Sequence, residues 1–420
     1  MQGEIKVDGD KSVSHRAVMF GSLAEGCTRV REILNGEDVL ATIGAFREMG
    51  VDIQYEGKEL VIHGAGMQGL RQPPAQLDMG NSGTAFRLLT GILCGQSWQS
   101  SLGGDSSLTG RPMGRIIRPL KKMGADIESN NEYPPLVINP NPGLSGIEYE
   151  MPVASAQVKS ALLLAGLYAE GETRVKEPAP TRDHTERMLV GFGYKVSQND
   201  HWVSLHGGGK LIACDIDVPA DLSSAAFFMV GAAISDQSEI LLQRVGINPS
   251  RNGVIPILQR MGVDLVMENY ANVGGEPVAD IRVKSSPLAG VNLDAQDIAL
   301  AVDEIPAIAV AAACAEGITE IRGAEELRVK ESDRISTTVA GLRALGVKVD
   351  EHPDGMTIFG GSIAGGEVDS HGDHRIAMAF SMAGNRAAAT VRVLNTQCVA
   401  TSFPGFTELS GSAGLKLDVV

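Results

Sequence analysis

The chain has 420 residues, of which 43% are hydrophobic and 21% are charged, and its formal net charge at pH 7 is −15. This composition is typical of a globular protein with at least two domains. The excess of acidic residues argues against a nucleic-acid partner, which requires an extended basic surface.

The chain termini and cysteines carry no targeting or metal-binding signal. The first residues contain no apolar signal segment, and the five cysteines are widely spaced without a metal-binding pattern. The most apolar stretch, roughly 298–315, is interrupted by Asp303, Glu304 and Pro306 and is too short to span a bilayer. We therefore expect a cytoplasmic protein with reduced thiols, no membrane contact and no bound metal.

A short pattern recurs six times along the chain: the end of an amphipathic helix, a glycine and an alternating strand. Its glycines are Gly50, Gly124, Gly193, Gly262, Gly346 and Gly414. The pattern predicts a helix that ends at a glycine in the left-handed conformation, followed by a half-buried strand. Six α/β units are therefore expected, three in each of two halves, with the crossing between the halves near 215–221.

Lysine and arginine recur in short patches that are rich in glycine, serine and threonine. In chain order these patches are 11–16, 80–87, 109–112, 181–184, 328–334 and 372–375. Small residues let backbone N–H groups approach a ligand, and arginine offers a planar fork that matches carboxylate or phosphate oxygens. We expect the fold to collect these cations around a small phosphorylated substrate.

Several of these patches are predicted at helix N-termini. Lys11 and Ser12 open the first helix after Asp10, and no GxxxxGK[ST] phosphate-binding loop is present. The segments 80–87, 106–113 and 155–159 have the same character. Ordinary capping by asparagine, serine or threonine explains them equally well, so capping stays open as an alternative.

The segment 328–334 is the sharpest local signal. On a helix, Lys330 and Arg334 stand four residues apart and Glu331 and Arg334 three apart, which places a carboxylate beside cations. A solvated ion-pair helix is the simpler interpretation. However, cations at a helix N-terminus oppose the helix dipole unless an anion binds there, which favours a functional interpretation.

Taken together, these motifs resemble one family, the 5-enolpyruvylshikimate-3-phosphate (EPSP) synthases. The similarity runs in order from about residue 3 to 410. The matching segments are GDKSVSHRA from Gly9, GNSGTAFRLL from Gly80, GDSSLTGRPM from Gly104, SAQVKSALLLAGL from Ser155, TRDHTERML from Thr181, PADLSSAAFF from Pro219, LRVKESDRI from Leu327, GDHRIAMAF from Gly372 and TSFPGF from Thr401.

The resemblance implies an α/β fold of two domains, each an inside-out α/β barrel of three βαβαββ repeats. The domains would be 10–219 and 220–420 plus 1–9, with the active site in the interdomain cleft. It implies transfer of the enolpyruvyl group of phosphoenolpyruvate to the 5-hydroxyl of shikimate 3-phosphate, with release of phosphate and without metal or organic cofactor. A monomer is expected.

The resemblance also assigns site residues. Those expected to bind phosphoenolpyruvate are Lys11, Gly83, Arg111, Gln157, Arg334 and Arg375. Those expected to bind shikimate 3-phosphate are Ser12, Arg16, Ser155, Gln157, Arg182, Asp303 and Lys330. Asp303, assisted by Lys11, would take the proton of the attacking hydroxyl, and Glu331 would protonate the methylene carbon.

At four positions, the residue in this chain can be compared with the residues that the branches of the family carry. Asp8 stands where the family usually has proline, and Thr401 where its more familiar branch has a lysine. Arg182 matches a second branch, since the first has a tyrosine near the shikimate ring. Gly83 leaves room for the inhibitor glyphosate, which an alanine at this position excludes in insensitive members, so sensitivity is expected.

Two other functions were weighed. The sister enolpyruvyl transferase, which acts on a UDP-sugar, carries a lysine-asparagine pair near its start and a cysteine in the loop that corresponds to 106–113. This chain has Lys11-Ser12 and no cysteine in that loop. A non-catalytic sensor of phosphorylated metabolites would need the cations but not Asp303 and Glu331.

Overall fold

The chain forms two compact units in a computed structural model that describes residues 1–419. The N-terminal unit comprises Gly9–Val218 and Val273–Glu276. The C-terminal unit comprises Met1–Asp8, Pro219–Asn272 and Pro277–Val420. The short segment Val273–Glu276 in the N-terminal unit was not expected from the sequence.

Strands and helices alternate along both units. The strands are β1 (Gln2–Ile5), β2 (Ala24–Arg31), β3 (Asp52–Glu56), β4 (Glu59–Ala65), β5 (Leu77–Asp78), β6 (Ser100–Gly103), β7 (Asp126–Asn130), β8 (Tyr133–Asn139), β9 (Glu148–Glu150), β10 (Glu172–Lys176), β11 (Ser197–Asn199), β12 (Trp202–His206), β13 (Leu211–Ile212), β14 (Ile216–Asp217), β15 (Glu239–Gly246), β16 (Asp264–Val273), β17 (Glu276–Lys284), β18 (Asn292–Leu293), β19 (Ile318–Ile321), β20 (Lys348–His352), β21 (Gly355–Phe359), β22 (Gly366–Asp369) and β23 (Val391–Leu394).

The helices are α1 (Lys11–Leu23), α2 (Glu37–Glu48), α3 (Gly83–Leu93), α4 (Ser106–Thr109), α5 (Gly114–Lys122), α6 (Ala156–Gly166), α7 (His184–Gly191), α8 (Leu222–Ile234), α9 (Val254–Arg260), α10 (Ala295–Ala301), α11 (Ile305–Ala313), α12 (Arg334–Ala344), α13 (His374–Ala383) and α14 (Phe406–Ser412). Two 3-10 helices span Glu325–Val329 and Thr396–Thr401. In the described part of the chain, no helix combines the length and the apolar character needed to cross a membrane.

The N-terminal unit contains three sheets with one shared plan. Their strand orders are β13-β2-β4-β3, β5-β6-β8-β7 and β11-β12-β10-β9, with β14 also pairing with β2. In the second sheet, β5 and β6 are parallel, whereas β6, β8 and β7 pair antiparallel. A helical crossover is required between parallel neighbours, and α3 supplies it between β5 and β6. This is the βαβαββ repeat that the resemblance implies.

The C-terminal unit repeats this plan in sheets β1-β15-β17-β16 and β18-β19-β21-β20 and ends with the two-stranded sheet β22-β23. The N-terminal strand β1 is parallel to β15, with Gln2 opposite Glu239. This pairing explains why the first eight residues belong to the C-terminal unit.

All six pivotal glycines adopt the left-handed conformation that the repeat predicts. Their φ angles are 87° at Gly50, 99° at Gly124, 79° at Gly193, 93° at Gly262, 80° at Gly346 and 86° at Gly414. A strand follows the first five glycines, as predicted. The prediction is wrong after Gly414, because residues 415–419 form no strand. The last sheet therefore has only two strands, β22 and β23.

Buried helices anchor the polar motifs. Every residue of α8 is buried and so is every residue of α11, which is the pattern of helices enclosed on all sides. In α1, α3, α6 and α13 the apolar body lies in the core of its own unit, and the glycine-, serine- and arginine-rich motifs form the first turns. The core therefore fixes the direction in which each motif is presented.

Candidate active site

The first turn of α1 places three of the predicted residues. Asp10 caps the helix, because its Oδ1 accepts a hydrogen bond of 2.9 Å from the Val13 N–H. Lys11 is the first helical residue, and its Nζ lies 3.0 Å from Asp38 Oδ2. Arg16, one turn further on, donates from Nη1 to the Ser12 carbonyl oxygen at 2.9 Å.

Arg16 is the most constrained cation of the N-terminal unit. Arg16 is buried, with only 3% of its surface exposed. Its Nε donates to Thr185 Oγ1 at 2.7 Å and its Nη2 to Ser160 Oγ at 2.9 Å. Burial lowers the pKa of Arg16 to about 10, and the positive charge of Arg182 adds to this lowering. Arg16 and Arg182 are therefore close enough to repel each other, which an anion bound to both would relieve.

The loop before α3 and the segment 106–113 form a second cluster of the N-terminal unit. Arg111 Nη2 donates to Asn81 Oδ1 at 2.5 Å and to Ser107 Oγ at 3.0 Å. Gly83 opens α3 directly beside this guanidinium. A methyl group at Gly83 would lie 3.2 Å from Arg111 Nη1 and 2.8 Å from Arg87 Nη1. With glycine at position 83, both arginine side chains can keep the positions that they have in the structure.

Ser155 and Gln157 bring the start of α6 into the same cluster. Ser155 caps the helix through a 3.4 Å hydrogen bond from the Val158 N–H. Gln157 Oε1 accepts a hydrogen bond of 2.7 Å from Arg87 Nη1, and Gln157 Nε2 donates to Thr84 Oγ1 at 3.0 Å. The carboxamide therefore has a fixed orientation.

Arg334 is the centre of a charged cluster in the C-terminal unit. Its side chain is 1% exposed, and it donates from Nη1 to Asp303 Oδ1 at 3.1 Å and from Nη2 to Glu331 Oε2 at 2.6 Å. A third carboxylate, Asp373, accepts from Nε at 2.8 Å. Burial by itself lowers the pKa of Arg334, but Asp373, Glu331 and Asp303 together raise it above the ordinary value. One guanidinium thus positions both carboxylates expected to move protons.

Asp303 has two further cations beside it. Lys330 Nζ lies 3.7 Å from Asp303 Oδ1, and Arg375 Nη2 lies 3.9 Å from Asp303 Oδ2. Arg375 also donates from Nη1 to the Asp303 carbonyl oxygen at 3.1 Å. These cations favour the ionised carboxylate, which is the form that can accept a proton.

The prediction of one helix over 328–334 is wrong, because the middle of this segment is not helical. A 3-10 helix ends at Val329, residues 330–333 lie in no helix, and α12 begins at Arg334. Asp333 caps α12, since its Oδ1 accepts a 3.1 Å hydrogen bond from the Ser336 N–H. Lys330 and Glu331 contact Asp303 and Arg334 from this non-helical segment, because a cap residue needs non-helical backbone before the first turn.

Three residues near the predicted site had no predicted role. Arg87 orients Gln157, Asp373 holds Arg334, and Glu304 accepts a short hydrogen bond from Ser223 Oγ and lies 3.8 Å from Arg375 Nη1. Arg87 and Asp373 lie inside the family motifs that begin at Gly80 and Gly372. Their positions in those motifs could have identified them as site residues. Glu304 follows Asp303 directly and immediately precedes α11.

Asp8 and Thr401, the departures from the family pattern, both have ordinary local partners. The Asp8 carbonyl oxygen accepts a 2.9 Å hydrogen bond from the Asp221 N–H. Thr401 closes the second 3-10 helix, with Oγ1 donating to the Cys398 carbonyl oxygen at 2.7 Å.

Each unit thus carries cations suited to a compact anion, and the C-terminal unit adds two carboxylates suited to proton transfer. Lys11, Arg16 and Arg111 are half-buried or buried in the N-terminal unit, as are Lys330, Arg334 and Arg375 in the C-terminal unit. Such an arrangement can bind phosphate and carboxylate groups, stabilise negative charge on a leaving phosphate and move a proton.

Comparison with known proteins gives a consistent result. Residues 1–409 match the family model described as EPSP synthase (3-phosphoshikimate 1-carboxyvinyltransferase). The chain is 57% identical to the 3-phosphoshikimate 1-carboxyvinyltransferase of Alkalilimnicola ehrlichii, covering 99% of this chain and 94% of that protein. It is also 57% identical to the enzyme of that name from Methylococcus capsulatus, covering 100% of this chain and 96% of the relative.

Solved structures agree with the sequence relatives. The structure of EPSP synthase from Acinetobacter baumannii superimposes with a TM-score of 0.90 at 54% identity, and the match covers 100% of this chain and 97% of that one. A second structure of EPSP synthase from that organism gives a TM-score of 0.89 at 52% identity. The predicted α/β fold class is confirmed by this likeness.

Proposed function

Since the chain belongs to the EPSP synthase family, we propose that it transfers the enolpyruvyl group of phosphoenolpyruvate to the 5-hydroxyl of shikimate 3-phosphate and releases phosphate. Relatives that share 57% of the sequence over nearly the whole chain are named 3-phosphoshikimate 1-carboxyvinyltransferases. This supports the proposal over transfer to a UDP-sugar, the alternative considered from the sequence.

The observation that carries the proposal is the cluster around Arg334. It holds a base candidate, Asp303, and an acid candidate, Glu331, on one buried guanidinium at 3.1 Å and 2.6 Å. A sensor of phosphorylated metabolites would need neither carboxylate. Burying a charged cluster costs free energy, so its presence favours a chemical role.

Substrate binding is the first step of the proposal. The residues that we propose for phosphoenolpyruvate are Lys11, Gly83, Arg111, Gln157, Arg334 and Arg375. Those that we propose for shikimate 3-phosphate are Ser12, Arg16, Ser155, Gln157, Arg182, Asp303 and Lys330. Both substrates are polyanions, and arginine pairs bidentately with phosphate and carboxylate groups.

Addition is the second step. Asp303, assisted by Lys11, takes the proton of the 5-hydroxyl, and the oxygen forms a bond to C2 of phosphoenolpyruvate. Glu331 gives a proton to the methylene carbon, which becomes a methyl group. Substrate anions that neutralise Lys330 and Arg334 favour the protonated form of Glu331.

Elimination is the third step. The tetrahedral ketal loses phosphate as the bond from C2 to the phosphate oxygen breaks. A methyl proton returns to the Glu331 carboxylate as the double bond forms again, and the proton taken by Asp303 leaves with the phosphate. The cations around the leaving phosphate stabilise its charge in the transition state. No redox change occurs, so the residues named are sufficient for the proton and charge transfers.

Phosphate release tests the proposal directly. The chain should release phosphate from phosphoenolpyruvate with shikimate 3-phosphate and not with a UDP-sugar. Asp303→Asn should reduce kcat by about 100-fold or more, the usual contribution of a general base. Asp350→Asn, an exposed aspartate on β20, is the matched control. Binding of shikimate 3-phosphate without any phosphate release would favour the sensor and contradict the proposal.

A further inference from the structure

A buried ion cluster lies next to Arg16 in the N-terminal unit, and the mechanism above does not use it. Lys159 on α6 has a side chain that is 1% exposed. Its Nζ lies 2.6 Å from Glu186 Oε1 and 3.0 Å from Glu177 Oε2. Glu186 is also 1% exposed, so one ammonium and two carboxylates share an interior site.

We propose that Lys159 is a positioning residue for shikimate 3-phosphate binding, because it holds Glu186 and Glu177 and, through them, the segments that place Arg16 and Arg182. The inference rests on the proposed function of those two arginines. Lys159 itself touches no substrate in this proposal.

The first connection runs between neighbouring residues on two helices. Lys159 and Ser160 are consecutive on α6, and Glu186 and Thr185 are consecutive on α7. Ser160 Oγ and Thr185 Oγ1 lie 2.7 Å apart, and both accept hydrogen bonds from Arg16. The ion pair from Lys159 to Glu186 therefore holds together the two helices whose hydroxyl groups orient the Arg16 guanidinium.

The second connection runs through the segment that precedes α7. Glu177 follows β10 directly, and Arg182 lies two residues before α7. Thr181 Oγ1 donates a short hydrogen bond to Glu177 Oε1, whose other oxygen pairs with Lys159. The Glu177 carboxylate thus bonds both to Lys159 and to Thr181, which limits where Arg182 can lie.

The electrostatics point to the same role. Burial raises the pKa of Glu186, while Lys159 opposes that rise and favours the carboxylate. The Glu186 charge in turn supports the protonated form of Arg16 against the effect of burial. Loss of Lys159 would therefore disturb both the position of Arg16 and the charge beside it.

A purely stabilising role does not account for the cluster. Two carboxylates and one ammonium share the interior beside the Arg16 guanidinium, and apolar residues of similar volume commonly give equal or greater stability than such buried ion pairs. The cluster fixes geometry that apolar packing would not, since ion pairs and hydrogen bonds are directional.

The experiment compares Lys159→Met with the wild-type chain by calorimetric titration with shikimate 3-phosphate and by steady-state kinetics. Hydrogen bonds to charged groups are worth about 1.5–3 kcal/mol. The Kd and KM for shikimate 3-phosphate should therefore rise by about 10- to 100-fold. The KM for phosphoenolpyruvate should change by less than about threefold, and Lys159→Arg should recover most of the affinity. Lys176→Met removes a half-exposed lysine on β10 that pairs with Glu150, and it is the matched control.

Thr181→Val provides a milder test that keeps the ion pairs, should Lys159→Met fail to fold. It removes only the hydroxyl that binds Glu177 and should raise the Kd for shikimate 3-phosphate by about three- to tenfold. A folded Lys159→Met with unchanged Kd for shikimate 3-phosphate, or with equal losses for both substrates, would overturn the inference alone. A wild-type chain that neither binds shikimate 3-phosphate nor releases phosphate would instead refute the proposed function.

Discussion

Gly83 lies at a point where an added methyl group would meet two arginine side chains. Its Cα lies at the start of α3 beside the guanidinium groups of Arg87 and Arg111. A methyl group would be in contact with the terminal nitrogens of both side chains. Arginine side chains are flexible at their ends, so they would shift rather than prevent folding.

Gly83→Ala should therefore preserve the fold while changing the phosphoenolpyruvate site. We expect the KM for phosphoenolpyruvate to rise about threefold to tenfold, the effect of moving one or two charge-assisted hydrogen bonds. Inhibition by glyphosate should weaken by a larger factor, because this inhibitor is slightly longer. Steady-state inhibition with varied phosphoenolpyruvate measures both effects.

Gly44→Ala is the control, because nothing lies within 4 Å of the added methyl group in α2. It should leave both constants unchanged. Glyphosate inhibition of the wild-type chain that does not compete with phosphoenolpyruvate would contradict the assignment of Gly83 to this site.

Glu331 is the residue whose proposed role as an acid is most open to a kinetic test. Its Oε2 lies 2.6 Å from Arg334 Nη2, and the backbone around it is not helical. Glu331→Gln keeps the hydrogen-bonding shape and removes the proton that the methylene carbon would receive.

Glu331→Gln should slow the chemical step by about 100- to 10,000-fold, as general acid catalysis predicts. Single-turnover quench experiments measure that step apart from product release. Glu325→Gln, an exposed residue at the start of the 3-10 helix, is the control. An unchanged chemical step in Glu331→Gln rules out this role.

At the scale of elements, the helix–glycine–strand junction is the unit from which both halves are built. A left-handed backbone at each glycine reverses the chain between helix and strand, and a side chain there meets its own backbone. Gly193 has a φ of 79°, and only Ile212 Cγ1, at 3.8 Å, lies near an added methyl group.

Gly193→Ala should therefore lower the free energy of unfolding by about 1–2 kcal/mol through backbone strain alone. Urea denaturation measures the change. Gly191→Ala, in the last position of α7 with nothing within 4 Å of the added methyl group, should be neutral or slightly stabilising. Equal effects of the two substitutions would contradict the assigned cause.

Asp373 connects two helices of the C-terminal unit. It caps α13, where Oδ1 accepts a 2.9 Å hydrogen bond from the Arg375 N–H, and it holds Arg334 at the start of α12. Burial raises the pKa of Asp373, but Arg334 outweighs this effect, so the pKa lies below its ordinary value of 3.8. A carboxylate with a lowered pKa stabilises the fold above its unfolded pKa and loses that contribution as the pH falls through the folded value.

Asp373→Asn should therefore destabilise the chain by about 3 kcal/mol at pH 7, because it leaves Arg334 buried with one fewer partner. The difference in unfolding free energy between wild type and variant should shrink as the pH falls below the unfolded pKa of about 4. Denaturant titrations at several pH values measure it. A difference that grows with falling pH would contradict the sign of the effect.

At the scale of the whole molecule, the proposed substrate contacts are unequally divided between the units. Most groups proposed for shikimate 3-phosphate, including Arg16, Ser155 and Arg182, lie in the N-terminal unit, whereas Glu331, Arg334 and Arg375 lie in the C-terminal unit. These groups of cations contrast with the net charge of −15 of the whole chain.

Hydrogen exchange should reveal this division. Shikimate 3-phosphate alone should slow exchange of backbone amides at the start of α1 and α7, because ligand binding suppresses local opening. Addition of phosphoenolpyruvate should extend protection to the first turns of α12 and α13. Protection by shikimate 3-phosphate that is confined to the C-terminal unit would contradict the proposed assignment.

The local features of this fold were accessible from the sequence, because they depend on neighbouring residues. A glycine after an amphipathic helix predicts a left-handed helix end, and all six such glycines have positive φ. Asp10 before Lys11 predicts the start of α1 by the same local chemistry. The family was also recognisable, since its motifs are short and continuous in the chain.

The pairing of side chains was decided by the tertiary structure alone. Arg16 and Thr185 are 169 positions apart in the chain, and Arg334 and Asp373 are 39 positions apart. Lys330 and Glu331 likewise lie outside the helix that their spacing predicts, in contact with Asp303 and Arg334. Sequence determined which charged groups this protein carries and where its helices end, whereas folding determined which charges share a buried site, because electrostatic and hydrogen-bond energies depend on distance in space.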